Sequence, residues 1–197
     1  MWTDRRSIRH VRDVGLAASQ PTALAHDDAT LIDRAKTGDE WACSQLYKRH
    51  ARPVAAVVYR LLGSDHHLED IVQETFVIGL RQLESLKKPE AFAGWLRTIA
   101  VRRVKRLLAQ RYKDRALDKE LSAAAPRTTT PDANEELVAL YQALAKLPDK
   151  IRLPWMLHHI EGETLPAIAS MCETSLSSVK RQIAKANEGL RRMHHVD

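Results

Sequence analysis

Trp95 precedes Arg102 and Arg106 by seven and eleven residues, spacings that put an indole and two guanidinium groups on one stripe of a helix. Lys105 falls on the same side. Lys87 and Lys88 lie just upstream, and from Lys87 to Arg115 ten basic residues stand against Glu90 and Asp114, a local net charge of +8. Cations beside an exposed ring suit unpaired nucleic acid, because phosphates meet the charges and an extruded base stacks on the indole. A second cluster, Glu69, Asp70, Gln73, Glu74 and Arg81 with Val77 and Leu80 among them, suits a protein-docking face: apolar area supplies affinity and charge sets orientation. The third collects Ser177, Ser178, Arg181 and Lys185 at the start of a C-terminal helix. Hydroxyls and cations so placed can meet base edges and phosphates.

Bond-making chemistry is not expected. The sequence carries no glycine-rich phosphate loop, no Ser or Cys nucleophile motif and no acid–base pair, so neither an enzyme nor a small-molecule substrate is expected. The His pairs 66-67, 158-159 and 194-195 point in divergent directions on a helix, and Cys43 and Cys172 stand at no finger-like spacing to them. No metal and no cofactor follows. The two cysteines read as reduced packing thiols. Net charge is +6 over 197 residues, which favours an anionic partner. No apolar run approaches the roughly 18 to 20 residues that span a bilayer, and the N-terminus lacks a stretch of signal-peptide length, so a cytoplasmic protein with no membrane insertion is expected.

The elements that must position these clusters are helical. Apolar residues recur at three-to-four spacing with no sustained alternation, which predicts an all-α chain. Residues 1–27 lack periodicity and read as an N-terminal tail or extension. A first helical domain is expected over 28–117, with breaks at Thr37-Gly38, Gly63-Ser64 and Leu86 to Pro89, and with Asp39 and Ser64 as N-caps. Residues 118–134, with Pro126 and Pro131 and nothing large and apolar from Ser122 on, read as a flexible linker. A second small domain is expected over 135–197, with Thr164 and Ser175 capping a helix-turn-helix. In projection Leu68, Ile71, Val72, Thr75, Ile78 and Leu83 face one core. Phe92, Leu96, Ile99, Ala100 and Leu107 face it from the basic helix, where Arg103 points inward and must snorkel or find a carboxylate. Leu176, Val179, Ile183, Ala186, Leu190 and Met193 make the buried stripe of the last helix.

The order of these features resembles the extracytoplasmic-function sigma factors of the sigma-70 family over about residues 28 to 193. The strings that carry the likeness are LIDRAKTGDEWACSQLYKRH, LEDIVQETF, FAGWLRTIA with its basic extension, LPDKIRLPWMLHHIEGETLPAIA and SLSSVKRQIAKANEGLRR. Asp70, Gln73, Glu74 and Phe76 match the family's polymerase-docking motif in spacing and type. The resemblance implies two small helical domains. A region 2-like bundle would dock on core RNA polymerase through Asp70, Gln73, Glu74, Phe76 and Val77, and would recognise and open the minus ten element through Lys87, Lys88, Trp95, Arg102, Lys105 and Arg106. A region 4-like helix-turn-helix would read the minus thirty-five element through Ser177, Ser178, Lys180, Arg181 and Lys185. It also implies promoter DNA and an anti-sigma factor as partners. The alternative is a sigma-like adaptor or anti-sigma-binding regulator that does not open promoters. Three positions depart from the family pattern. Arg102 stands where Asn is common. Ser178-Val179-Lys180-Arg181-Gln182 replaces Thr-Val-Lys-Ser-Arg, turning one cation about 100° around the helix, and Ala167 replaces the acid that completes a capping box.

Overall fold

The structure, a computed structural model, describes residues 27–117 and 135–194. The expected linker and all but the last residue of the expected N-terminal tail lie outside the described residues. Among those described there are eight α-helices, two 3₁₀ turns and no strand: α1 (Asp28–Lys36), α2 (Glu40–Leu62), α3 (Leu68–Arg81), turns Leu83–Ser85 and Pro89–Ala91, α4 (Phe92–Leu117), α5 (Glu135–Ala145), α6 (Asp149–His159), α7 (Leu165–Met171) and α8 (Leu176–His194). Two compact units divide the chain. One runs to Arg60 and again from Asp65 to Val104, and the other takes Leu61–Ser64 and the chain from Lys105 onward.

Most breaks follow local chemistry. Gly38, at φ 86°, turns the chain after α1, a conformation that costs glycine nothing. Asp39 then caps α2, its Oδ1 accepting from the Ala42 N–H at 3.1 Å while the Arg34 guanidinium donates to Oδ2. Those two donors, the Ala42 N–H first and Arg34 second, hold the Asp39 carboxyl below the usual carboxylate range. Ser64 does not cap α3 as expected. The turn is longer: Gly63 and His67 both adopt positive φ, the Leu68 N–H donates to the Asp65 carbonyl, and α3 starts behind His67 with no side-chain cap.

In the first unit Leu31 and Ile32 of α1, Ile71, Val72 and Phe76 of α3, and Phe92 and Leu96 of α4 are buried. Thr75 is fully buried with them, its hydroxyl satisfied by the Ile71 carbonyl at 2.7 Å. Leu68 and Ile78, expected in this core, are half-buried. α1 packs against both 3₁₀ turns, which braces the segment carrying Lys87 and Lys88. α4 is more enveloped than its basic composition suggests. Val101, Val104 and Leu108 are buried beside the expected Ile99 and Ala100, whereas Leu107 is half-buried. A one-arc projection misses residues covered from a second side.

In the last four helices Trp155 of α6 is wholly buried and donates through Nε1 to Asn187 Oδ1 of α8 at 2.7 Å. That bond removes the main penalty of burying an indole. Thr164 caps α7 through a long 3.3 Å bond from the Ala167 N–H, and Ser175 caps α8 by accepting from the Ser178 N–H at 3.2 Å. Between them Glu173 turns the chain at φ 50°. The expected stripe of α8 holds at Val179, Ile183, Ala186 and Leu190, but Leu176 is 40% exposed and Gln182 is buried in its stead. Leu176 is the first residue of its helix, where the opposing core has not yet closed.

Candidate docking face and nucleic-acid interface

The docking cluster lies on α3. Asp70, Gln73, Glu74 and Val77 are exposed, with Asp70 77% accessible in its side chain and Val77 at 48%. Phe76 is not on this face. It is 3% exposed and meets Tyr47 edge-on at a centroid distance of 4.8 Å. Tyr47, 40% exposed, therefore adds a partly exposed aromatic ring from α2 over Phe76, a contribution that the spacing along α3 could not reveal. Arg103 resolves its inward projection by pairing with a carboxylate. Its Nε donates to Glu74 Oε2 at 2.7 Å, and Nη2 reaches the same oxygen. Gln73 lies 3.5 Å from Glu69 Oε1, and the imidazole of His67 lies 3.7 Å from Asp70.

The basic cluster divides. Lys87, Lys88 and Trp95 converge on an open depression of 580 Å³, lined also by Ser85, Leu86, Glu90, Ala91, Gly94 and Thr98. Both lysines are exposed and Trp95 is half-buried, its ring 6.1 Å from that of Phe92. The indole is thus partly covered and lines the opening. Arg102 and Lys105 are half-buried and Arg106 is exposed farther along α4, and none of the three lines the depression. Glu90, Gly94 and Thr98 were not singled out from the sequence. Nothing short of the packing of two turns against a helix shows that they share a wall.

On α8, Lys180, Arg181 and Lys185 are exposed, as is Ser177, while Ser178 is half-buried. Both serines bond to the Ser175 hydroxyl, at 3.0 and 2.8 Å. Their hydroxyls are thus already engaged in closing the start of the helix, and the cations carry its outward chemistry. Among the described residues no group of three or more His, Cys, Asp or Glu side chains could hold a metal. Cys43 and Cys172 are free, and burial pushes both thiols up, Cys172 to about 11. No described helix is long and apolar enough to cross a membrane.

An acidic, partly apolar face, an open depression bordered by two lysines and a tryptophan, and a helix-turn-helix with an outward basic face describe a regulatory DNA-binding protein that also docks on protein. Comparison with known proteins gives the family. The Sigma-70 region 2 model matches residues 46–114, and the Sigma-70, region 4 model matches residues 137–187. The ECF RNA polymerase sigma-E factor of Escherichia coli (strain K12) is 28% identical over 176 residues, which cover 83% of this chain and 92% of that protein. The ECF RNA polymerase sigma factor SigE of Mycolicibacterium smegmatis is 29% identical over 185 residues, 88% and 68% of the two chains. Among solved structures, CnrH in complex with the cytosolic domain of CnrY shares 26% identity at a TM-score of 0.57, covering 86% of this chain and 98% of that one. RpoE of Bartonella quintana, solved with the anti-sigma factor NepR, shares the fold at a TM-score of 0.62 and 19% identity, with coverage of 78% and 97%. The chain belongs to the sigma-70 family, in its extracytoplasmic-function group, and is an alternative sigma factor that directs transcription initiation. Sigma factors are regulatory DNA-binding proteins, not classical enzymes.

Proposed function

We propose that this sigma factor docks on core RNA polymerase through Asp70, Gln73, Glu74 and Val77, with Phe76 fixing the face from beneath. It captures an unpaired base of the minus ten element in the depression formed by Lys87, Lys88 and Trp95. Arg102, Lys105 and Arg106 extend the positive track along α4, and Lys180, Arg181 and Lys185 read and clamp the minus thirty-five element, with Ser177 and Ser178 at the helix start. Residues 28–117 form the docking and opening domain, 118–134 the linker and 135–197 the upstream-reading domain. The protein works in the cytoplasm, where its polymerase is, and is held inactive by an anti-sigma factor. The likeness to CnrH, itself solved bound to the cytosolic domain of CnrY, supports a protein partner for this chain besides polymerase.

One observation carries the reading: Lys87, Lys88 and Trp95 converge on a single open depression. In duplex DNA the bases are stacked inward and the ring gains little. An unpaired base contributes on the order of 1 to 3 kcal/mol by stacking, and free energy that appears only after strand separation shifts the equilibrium toward the open complex. Trp95→Ala, with helicity checked by circular dichroism, should impair promoter opening as read by permanganate reactivity of thymines. Equal opening by a folded Trp95→Ala protein, on duplex and pre-melted templates alike, would refute the capture. Reversing Asp70 and Glu74 to Lys should weaken core binding with helicity unchanged, and unaltered affinity in a titration would remove the docking assignment.

A further inference from the structure

Gly94 stands in the first turn of α4, exposed on the wall of the depression. Its backbone is not in the left-handed region, and a Cβ built there meets no atom within 4 Å among the described residues. Neither backbone conformation nor packing therefore asks for glycine. Gly79 on α3 and Gly189 on α8 differ: a Cβ at either would come within 2.7 Å of a leucine methyl, Leu96 Cδ2 and Leu147 Cδ2 respectively. Glycine in a helix is less stable than alanine because its backbone loses more freedom on folding. Gly94 thus weakens α4 with no packing among the described residues to offset it. The remaining use of glycine is to let a ligand come close to the backbone.

We propose that Gly94 is a specificity-determining residue of the depression, its missing side chain letting an unpaired base lie against the backbone of α4 beside the Trp95 ring. The inference rests on the base-capture reading. The neighbouring polar groups divide the work. The Thr98 hydroxyl donates to the Gly94 carbonyl at 3.0 Å and so is already engaged within the helix. Lys87 and Lys88 are exposed on the loop side, where the phosphates of an entering strand would pass. A methyl group at position 94 would stand where the face of the base must settle.

The test uses the holoenzyme assembled with core polymerase on a promoter template pre-melted across the minus ten element, intact or with one abasic nucleotide at each position in turn. For the wild type, the abasic position that weakens binding marks the captured base. Gly94→Ala should melt at the same temperature as the wild type or higher, bind the intact template about tenfold more weakly, and bind the template abasic at that position as the wild type does. Wild-type affinity of Gly94→Ala for the intact template would overturn the inference, as would an equal loss on intact and abasic templates. Gly94→Ser gives the same reading with a larger side chain. Capture itself falls, and this inference with it, if no abasic position weakens the wild type and Trp95→Ala also binds the intact template normally.

Discussion

Glu74 shows how a single side chain can serve a docking face before any partner arrives. Two nitrogens of Arg103 converge on its Oε2, which holds the carboxylate in one orientation. At 27% and 49% side-chain exposure such a pair adds no more than about 1 kcal/mol to folding. If α3 docks on polymerase as proposed, its value lies in rotamer freedom already lost before binding. Arg103→Met should therefore leave thermal stability almost unchanged yet weaken core binding severalfold, and it should add nothing in a Glu74→Ala background. A titration showing equal losses in both backgrounds would reduce Arg103 to general charge. The inward projection of Arg103 was legible from helical spacing. Its partner was not, because Glu74 is 29 residues away and only the packing of α3 on α4 joins them. Phe76 makes the complementary point: a motif matched by type and spacing groups residues of one segment, but one of its members faces the core.

At the scale of elements, most helix boundaries were readable because they are written in local chemistry. Asp39, Thr164 and Ser175 each accept the expected backbone N–H, and Gly38, Gly63 and Gly162 turn the chain at positive φ. Misreadings arose where tertiary packing overrides period, at Val101, Val104, Leu176 and Gln182, and where His67 rather than a capping side chain opens α3. The Asp39 cap supplies a pH test. Its folded carboxyl lies below the ordinary value of 3.8, so the charged form is favoured by folding. That contribution is fully present above the ordinary value and is lost as pH falls through the lower folded one. Asp39→Ala should thus lower the melting temperature near neutrality by more than it does in acid below the carboxylate range. A deficit that stays constant across that range would mean the cap works without its charge.

Over the whole molecule the formal net charge is only +6, yet ten basic residues sit between Lys87 and Arg115 and five more cations, Lys180, Arg181, Lys185, Arg191 and Arg192, are exposed on α8. The acidic residues that balance them include the α3 face proposed to meet polymerase. Segregation of this kind lets one molecule attract two partners of opposite character. Phosphate contacts release counterions, whereas stacking does not. Binding of a pre-melted template by the holoenzyme, followed across salt concentration, should lose about one unit of log–log slope when Lys87 or Lys88 is replaced by alanine. Trp95→Ala should lower affinity at every salt concentration with the slope intact. An altered slope in Trp95→Ala would mean that the ring acts by placing cations.

Gly79 and Leu96 share one volume. A Cβ on the first would stand 2.7 Å from the terminal methyl of the second, so α3, with the face proposed to meet polymerase, and α4, with the proposed base pocket, touch through a space only one of them can fill. In the history of such chains these positions are not free to drift apart: atoms gained at 79 are expected to be matched by atoms lost at 96. Lineages that enlarge either side chain should carry the compensating change before they alter the faces those helices present.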